Sequence, residues 1–192
     1  SIPCNIGTDL YDAKMGFSDT SLLCKIVFIL LTLCFITDLI GFSIPYWYSK
    51  EFMISRISGK DYAGLWDWCT GTGKGSCNKI EDNNRSDSFL YWLKAVRTFS
   101  VLSWILFLLA LVFIIIFIFC KSDKKALYLV AVCLIFAGAV CSLIAFAVYT
   151  VESTGIMKEY SAAFAMTISV FVLGLIIGIL GVIDYIGVVG GK

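Results

Sequence analysis

The chain has 192 residues, of which 59% belong to the AVILMFWYC set and only 15% are charged, with a mean hydropathy of +0.90. So little polar surface cannot coat a domain in water. A formal net charge of +1 gives no bulk attraction for nucleic acid, and the absence of histidine removes Ser-His-Asp and Cys-His catalysis and the commonest metal ligand. The composition leaves an integral membrane protein that is no enzyme and needs no cofactor.

Residues 1–24 read as a cytoplasmic segment and residues 25–189 as a single domain. The first span, 25–45, rests on an apolar run over 26–44 broken only by Asp38. This run starts too far into the chain and lacks the small-residue cleavage site of a signal peptide. An unpaired carboxylate in hydrocarbon is expensive, so Asp38 is expected to face the bundle interior, with Ser100, Ser103 or Arg97 as its partner. Cys24 at the inner start of this span and Cys120 at the inner end of the next suit palmitoylation, or are plain thiols.

A long loop follows, 46–94. It carries Trp47, Trp66, Trp68 and Trp92, and part of this set forms the aromatic belt of a membrane interface. Stretches 46–57 and 61–69 are rich in β-branched and aromatic residues. With turns at Gly59 and at Gly71-Thr72-Gly73-Lys74-Gly75, they predict a small antiparallel sheet. Cys69 and Cys77 have seven residues between them, a spacing that facing hairpin strands can bridge. A zinc site would need two further ligands, and the loop has neither a histidine nor a third cysteine. The glycine run is faintly like a phosphate-binding loop, but Lys74 is followed by Gly75 instead of Ser or Thr, so a turn is the better reading. Asn84-Arg85-Ser86 is a glycosylation sequon.

The second span is 95–120, the third 126–151 and the fourth 160–183. Their uncharged cores run over 98–120, 126–151 and 160–183, each longer than the ~20 residues needed to cross hydrocarbon. Turn 121–125 and second outer loop 152–159 are short, so the helices pack as antiparallel neighbours. Gly138 and Ser142 on the third helix, and Gly174, Gly178 and Gly181 on the fourth, allow close backbone approach, either between these two helices or against a partner's helix. The Lys-rich turn 121–125 reads as cytoplasmic, although the total Lys and Arg count is higher on the opposite side. The oxidisable cysteine pair and the sequon place the long loop outside. Both termini, including tail 184–192, are then cytoplasmic.

Pro45-Tyr46-Trp47 at the end of the first span, then Gly64-Leu65-Trp66, two residues, Cys69 and a second cysteine at Cys77, resemble the W…GLW…C…C signature of the claudin superfamily. That group takes in claudins, relatives of peripheral myelin protein 22 and the four-helix auxiliary subunits of calcium and glutamate channels. Leu93-Lys94-Ala95-Val96-Arg97-Thr98 is similar to the start of the family's second helix. The resemblance implies an all-α membrane four-helix bundle with a small extracellular antiparallel β-sheet. It further implies that Trp47 inserts at the outer end of the bundle and Gly64-Leu65-Trp66 anchors a strand to it. Cys69–Cys77 would tie two strands and Arg97 would hydrogen-bond the base of the loop.

Two functions follow from the resemblance. One is a plasma-membrane protein that forms or organises cell–cell junctions, a paracellular barrier built by cis and trans self-association of the sheet. The other is an auxiliary subunit or chaperone of an ion channel or receptor complex, bound through helices and sheet. Its surroundings are the lipid bilayer in either case, and nucleic acid in neither.

Overall fold

The computed structural model describes residues 20–54, 57–71, 76–80, 87–119, 125–153 and 161–190. Four helices, α1 (Leu22–Ser43), α2 (Asp87–Phe119), α3 (Lys125–Ser153) and α4 (Ala162–Gly190), carry four strands between the first two: β1 (Tyr48–Ile54), β2 (Ile57–Ala63), β3 (Asp67–Thr70) and β4 (Ser76–Lys79). All four helices are long and apolar enough to cross a membrane. In hydrocarbon a spanning backbone must satisfy its own polar groups, which a helix does internally.

Lipid and bundle interior are both apolar, so these helices are not sorted by a hydrophobic face. They are sorted by side-chain size and polarity. In α1 the buried residues are Cys24, Val27, Leu31, Cys34, Asp38 and Gly41, at steps of three and four. The branched residues Ile29, Leu33, Ile36 and Ile40 are exposed on the other side. The helices close into a ring in which α1 packs on α2, α2 on α3, α3 on α4 and α4 on α1. Its core holds Phe107, Ile114, Ile135 and Ile177.

Helix α2 has 33 residues, about 50 Å at 1.5 Å per residue, against about 30 Å of hydrocarbon. It begins at Asp87, eight residues before the predicted span at 95, so the last part of the long loop is helical. The reason is a second core. Phe89, Trp92, Leu93 and Val96 are buried together with Trp47, Leu65, Ile80, Tyr149 and Phe164 between the bundle end and the sheet. Helix α4 likewise runs on to Gly190, past the predicted end at 183, and carries Asp184 into the interior.

The sheet is antiparallel in the order β1-β2-β3-β4. Lys50 faces Asp61 across β1 and β2, Tyr62 faces Cys69 across β2 and β3, and Cys69 faces Cys77 across β3 and β4. Two local expectations are corrected. Gly59 is not a turn; it pairs with Phe52 inside the β1–β2 ladder. The stretch 61–69 is not one strand. It breaks at Gly64-Leu65-Trp66, where the Gly64 N–H donates to the Asp67 carbonyl at 2.9 Å. A Cβ on Gly64 would stand 2.5 Å from Pro45 Cα, so only glycine lets the corner lie on the end of α1.

Candidate functional site

The site is the seat of the sheet, and it begins with the unmet carbonyls at the end of α1. A helix leaves its last carbonyls without internal donors. Pro45 sharpens the problem, because it has no N–H to offer the Gly41 carbonyl four residues back. The Trp47 indole N–H takes that place, 2.9 Å from Gly41 O. The Trp66 indole N–H donates to the next carbonyl, Phe42 O, also at 2.9 Å. Two tryptophans from the sheet therefore cap one helix.

Trp47 is 1% exposed. Its ring lies 4.9 Å from Tyr149 of α3 and 6.4 Å from Phe164 of α4, centroid to centroid. Trp92 of α2 meets the same Tyr149 at 5.9 Å. One aromatic cluster thus joins all four helices to the sheet, since Trp47 also holds α1. The start of α4 is fixed by the same strand entry. Ser161 N and Ala163 N donate to the carbonyls of Trp47 and Tyr46, at 3.2 and 3.0 Å.

Arg97 closes the seat from α2. Its Nε donates to Leu65 O at 2.7 Å, and its guanidinium lies over the Trp66 ring, 5.0 Å from the centroid. Leu65 is fully enclosed. Trp66 is different: it sits beside α2 at the rim of the bundle and is 40% exposed, so this tryptophan is a wall between sheet and membrane. Cys69 and Cys77 are disulfide-bonded and staple β3 to the edge strand β4, away from the helices.

The remaining sequence-derived candidates fall elsewhere. Asp38 is buried and its Oδ2 accepts from Ser103 Oγ at 3.1 Å. The same hydroxyl stands 3.1 Å from Gly138 O. Ser100 is buried with its hydroxyl unpaired among the described residues. Gly138 leaves room for the Phe107 ring of α2, whereas Gly174, Gly178 and Gly181 of α4 lie against Ala139, Phe136 and Val132 of α3. Ser142 Oγ donates to Thr167 O at 3.2 Å and so ties α3 to α4. All five small residues face helices of this chain. Cys24 is enclosed at 1% exposure, the setting of a plain buried thiol, which is the other reading the sequence allows at this position. Asn84, Cys120, residues 121–124 and residues 154–160 lie outside the described residues.

Two features were not found by reading the sequence. Tyr149 and Phe164 are central to the cluster, but nothing distinguishes them from other aromatics in apolar runs. Asp184 accepts a 2.6 Å hydrogen bond from Ser21 Oγ, and that oxygen also accepts from Cys24 N at the start of α1. The signal was present: Ser21 is a helix-capping residue type just before Leu22, and Asp184 interrupts an apolar helix one residue past the predicted span.

Among the described residues no three His, Cys, Asp or Glu side chains converge to hold a metal. The geometry is that of a mechanical joint, in which indoles and a guanidinium lock a sheet onto one end of a bundle. Comparison with curated proteins returns no match. The family model for the PMP-22/EMP/MP20/Claudin family matches residues 20–181, which take in the sheet, the tryptophan–arginine seat and nearly all of the bundle, and the chain belongs to that family.

Proposed function

We propose that the protein forms or organises cell–cell junctions, with the sheet outside the plasma membrane, both termini in the cytoplasm, and association in cis and in trans through the sheet. The observation that carries this reading is the rigid presentation of the sheet. Trp47, Leu65 and Arg97 hold it on the bundle end, while all four residues of edge strand β4 are exposed. A presented edge offers unpaired backbone groups to another chain. The disulfide supports an oxidising, outer location for the sheet, and the sequon at Asn84 agrees with it. Expression in cells that lack junctional strands tests the reading. Strands at cell contacts are expected; diffuse surface protein without strands would sink it.

The alternative, an auxiliary subunit or chaperone of a channel or receptor, draws less support. Its sequence basis included helix docking through small residues. Gly138, Gly174, Gly178 and Gly181 are filled by side chains of this chain, so a partner's helix would have to use another surface. Stable co-purification of a channel or receptor from the same cells would favour this alternative.

The orientation has its own test. An amide-cleaving glycosidase should sharpen and shift the band of protein made in eukaryotic cells, and Asn84→Gln should abolish that shift.

A further inference from the structure

A groove of about 560 Å³ runs down the outside of α2 below Trp66. Its mouth carries Lys94 and Arg97; its floor is Val101, Leu102 and Ile105. Lys94, Arg97, Val101 and Ile105 follow one another at steps of three and four, and Thr98, Leu102 and Ile105 make a second such row beside them, so together they form one stripe on the helix. Arg97 is the last charged residue on α2, and residues 98–119 carry none. The charge-to-apolar boundary of the membrane therefore crosses the groove at its mouth. From Arg97 to Ile105 is eight residues, about 12 Å at 1.5 Å per residue. That lies within the depth of one leaflet, half of about 30 Å.

The groove is open along the helix and bounded at one side by the sheet corner. Trp66 forms its upper side, held by its indole bond to Phe42 O and by the guanidinium stacked on its ring. Leu102 and Ile105 are each 40% exposed, so the floor is open to whatever occupies that depth. The lysine at the mouth calls for an anion at headgroup level, and the floor calls for an extended apolar chain directly beneath it. A phospholipid carries both at this separation.

We propose that this groove is a site for one phospholipid of the sheet-side leaflet. The phosphate lies against the Lys94 ammonium, within the field of Arg97, and one acyl chain runs along Val101, Leu102 and Ile105 beside the Trp66 ring. Nε of Arg97 keeps its bond to Leu65 O, so the lipid adds to the seat of the sheet without replacing any of it. A bound lipid would link the composition of that leaflet to the attachment of the sheet.

The full chain in phosphatidylcholine nanodiscs tests this, doped with a phosphatidylglycerol that carries a diazirine on one acyl chain. After illumination, label should concentrate on Val101, Leu102 and Ile105. Val172, Ile176 and Ile179 of α4 are at least as exposed and serve as the annular reference. Lys94→Glu should lower the α2 label roughly tenfold relative to α4, as expected for loss of one charge-assisted contact. Leu102→Trp should block labelling of the floor. Both substitutions are at exposed positions, and unchanged elution with an intact Cys69–Cys77 bond verifies the fold. Equal labelling of α2 and α4, or an α2 signal indifferent to Lys94→Glu, would overturn the site. So would photocrosslinks through Leu102 to a second copy of the chain in place of lipid.

Discussion

The Trp66 indole donates to Phe42 O, a carbonyl that α1 cannot satisfy because the helix stops at Ser43. Trp47 does the same for Gly41 O, the carbonyl orphaned by Pro45. The two bonds have equal lengths but unequal surroundings, and the difference can be measured. Trp47→Phe leaves a carbonyl unpaired in a dry site and a gap beside Tyr149 and Phe164. The expected loss is about 3 kcal/mol, combining an unmet buried acceptor with a cavity. Trp66 is part exposed, so other donors can reach Phe42 O, and Trp66→Phe should lose about 1 kcal/mol. Thermal unfolding in one detergent compares them; equal losses would contradict the capping account of Trp47.

Arg97→Lys should not be a mild change. Lysine places a point charge where a planar guanidinium now stacks on Trp66 and directs Nε at Leu65 O. A loss of about 1–3 kcal/mol is expected, with reduced delivery to the cell surface. Because Arg97 and Trp66 touch, the loss in Arg97→Lys/Trp66→Phe should be smaller than the sum of the single losses. Strict additivity in surface biotinylation and in unfolding would show that the two act separately.

Much of this architecture is legible in the chain. The spans follow from uncharged runs, because hydrocarbon excludes charge. The seat follows from Pro45, Trp47 and the Gly64-Leu65-Trp66 corner, whose residue types are unusual enough to carry a motif. What escaped was which neighbour each residue meets. Gly138 and Gly178 look equivalent in an apolar helix, yet the first accommodates Phe107 of α2 and the second Phe136 of α3. Helix rotation sets that choice, and in lipid no amphipathic stripe reports the rotation. Gly59 misled for a related reason: a glycine marks permissiveness, and a strand can tolerate one. The extension of α2 back to Asp87 was hidden because its apolar residues, interrupted by Lys94 and Arg97, face the sheet and not the membrane.

Gly64 offers a sharp contrast with Gly187. A methyl on Gly64 would meet backbone atoms, 2.5 Å from Pro45 Cα and 3.0 Å from Ile44 O, whereas one on Gly187 meets nothing within 4 Å. Backbone cannot rotate away as a side chain can. Gly64→Ala should therefore lift the corner from α1, at a cost of about 1–3 kcal/mol or more. Gly187→Ala should be neutral or gain up to about 1 kcal/mol in helix propensity. Paired melting curves test this, and a harmless Gly64→Ala would refute the close approach.

Removing the disulfide should act locally. Cys69 and Cys77 face each other across β3 and β4, so replacing both by serine frees the edge strand and leaves the Trp47 cluster in place. The closed loop is short, and the expected loss is about 2–3 kcal/mol. Proteolysis should become faster around β4 without faster cleavage of the bundle. Intact-mass mapping of unreduced wild-type protein should find the bond, and free thiols at both positions would refute it.

At the other end of the bundle, one hydroxyl holds two helices. Ser21 Oγ accepts from Cys24 N at 3.0 Å and donates to Asp184 Oδ1 at 2.6 Å. The first bond caps α1, where an alanine costs about 0.5–2 kcal/mol. The second satisfies a buried carboxylate of the neighbouring helix α4. Ser21→Ala removes both, so its loss should exceed that of capping alone and reach about 2–4 kcal/mol. Asp184→Asn keeps an acceptor oxygen for the same hydroxyl and should cost less. In Ser21→Ala/Asp184→Leu the buried acceptor disappears with its donor, so stability should recover part of what Ser21→Ala lost. Unfolding of the three variants under one condition gives the order. If the double variant is less stable than Ser21→Ala by the full loss of Asp184→Leu alone, the two residues do not form the coupled latch that their 2.6 Å contact implies.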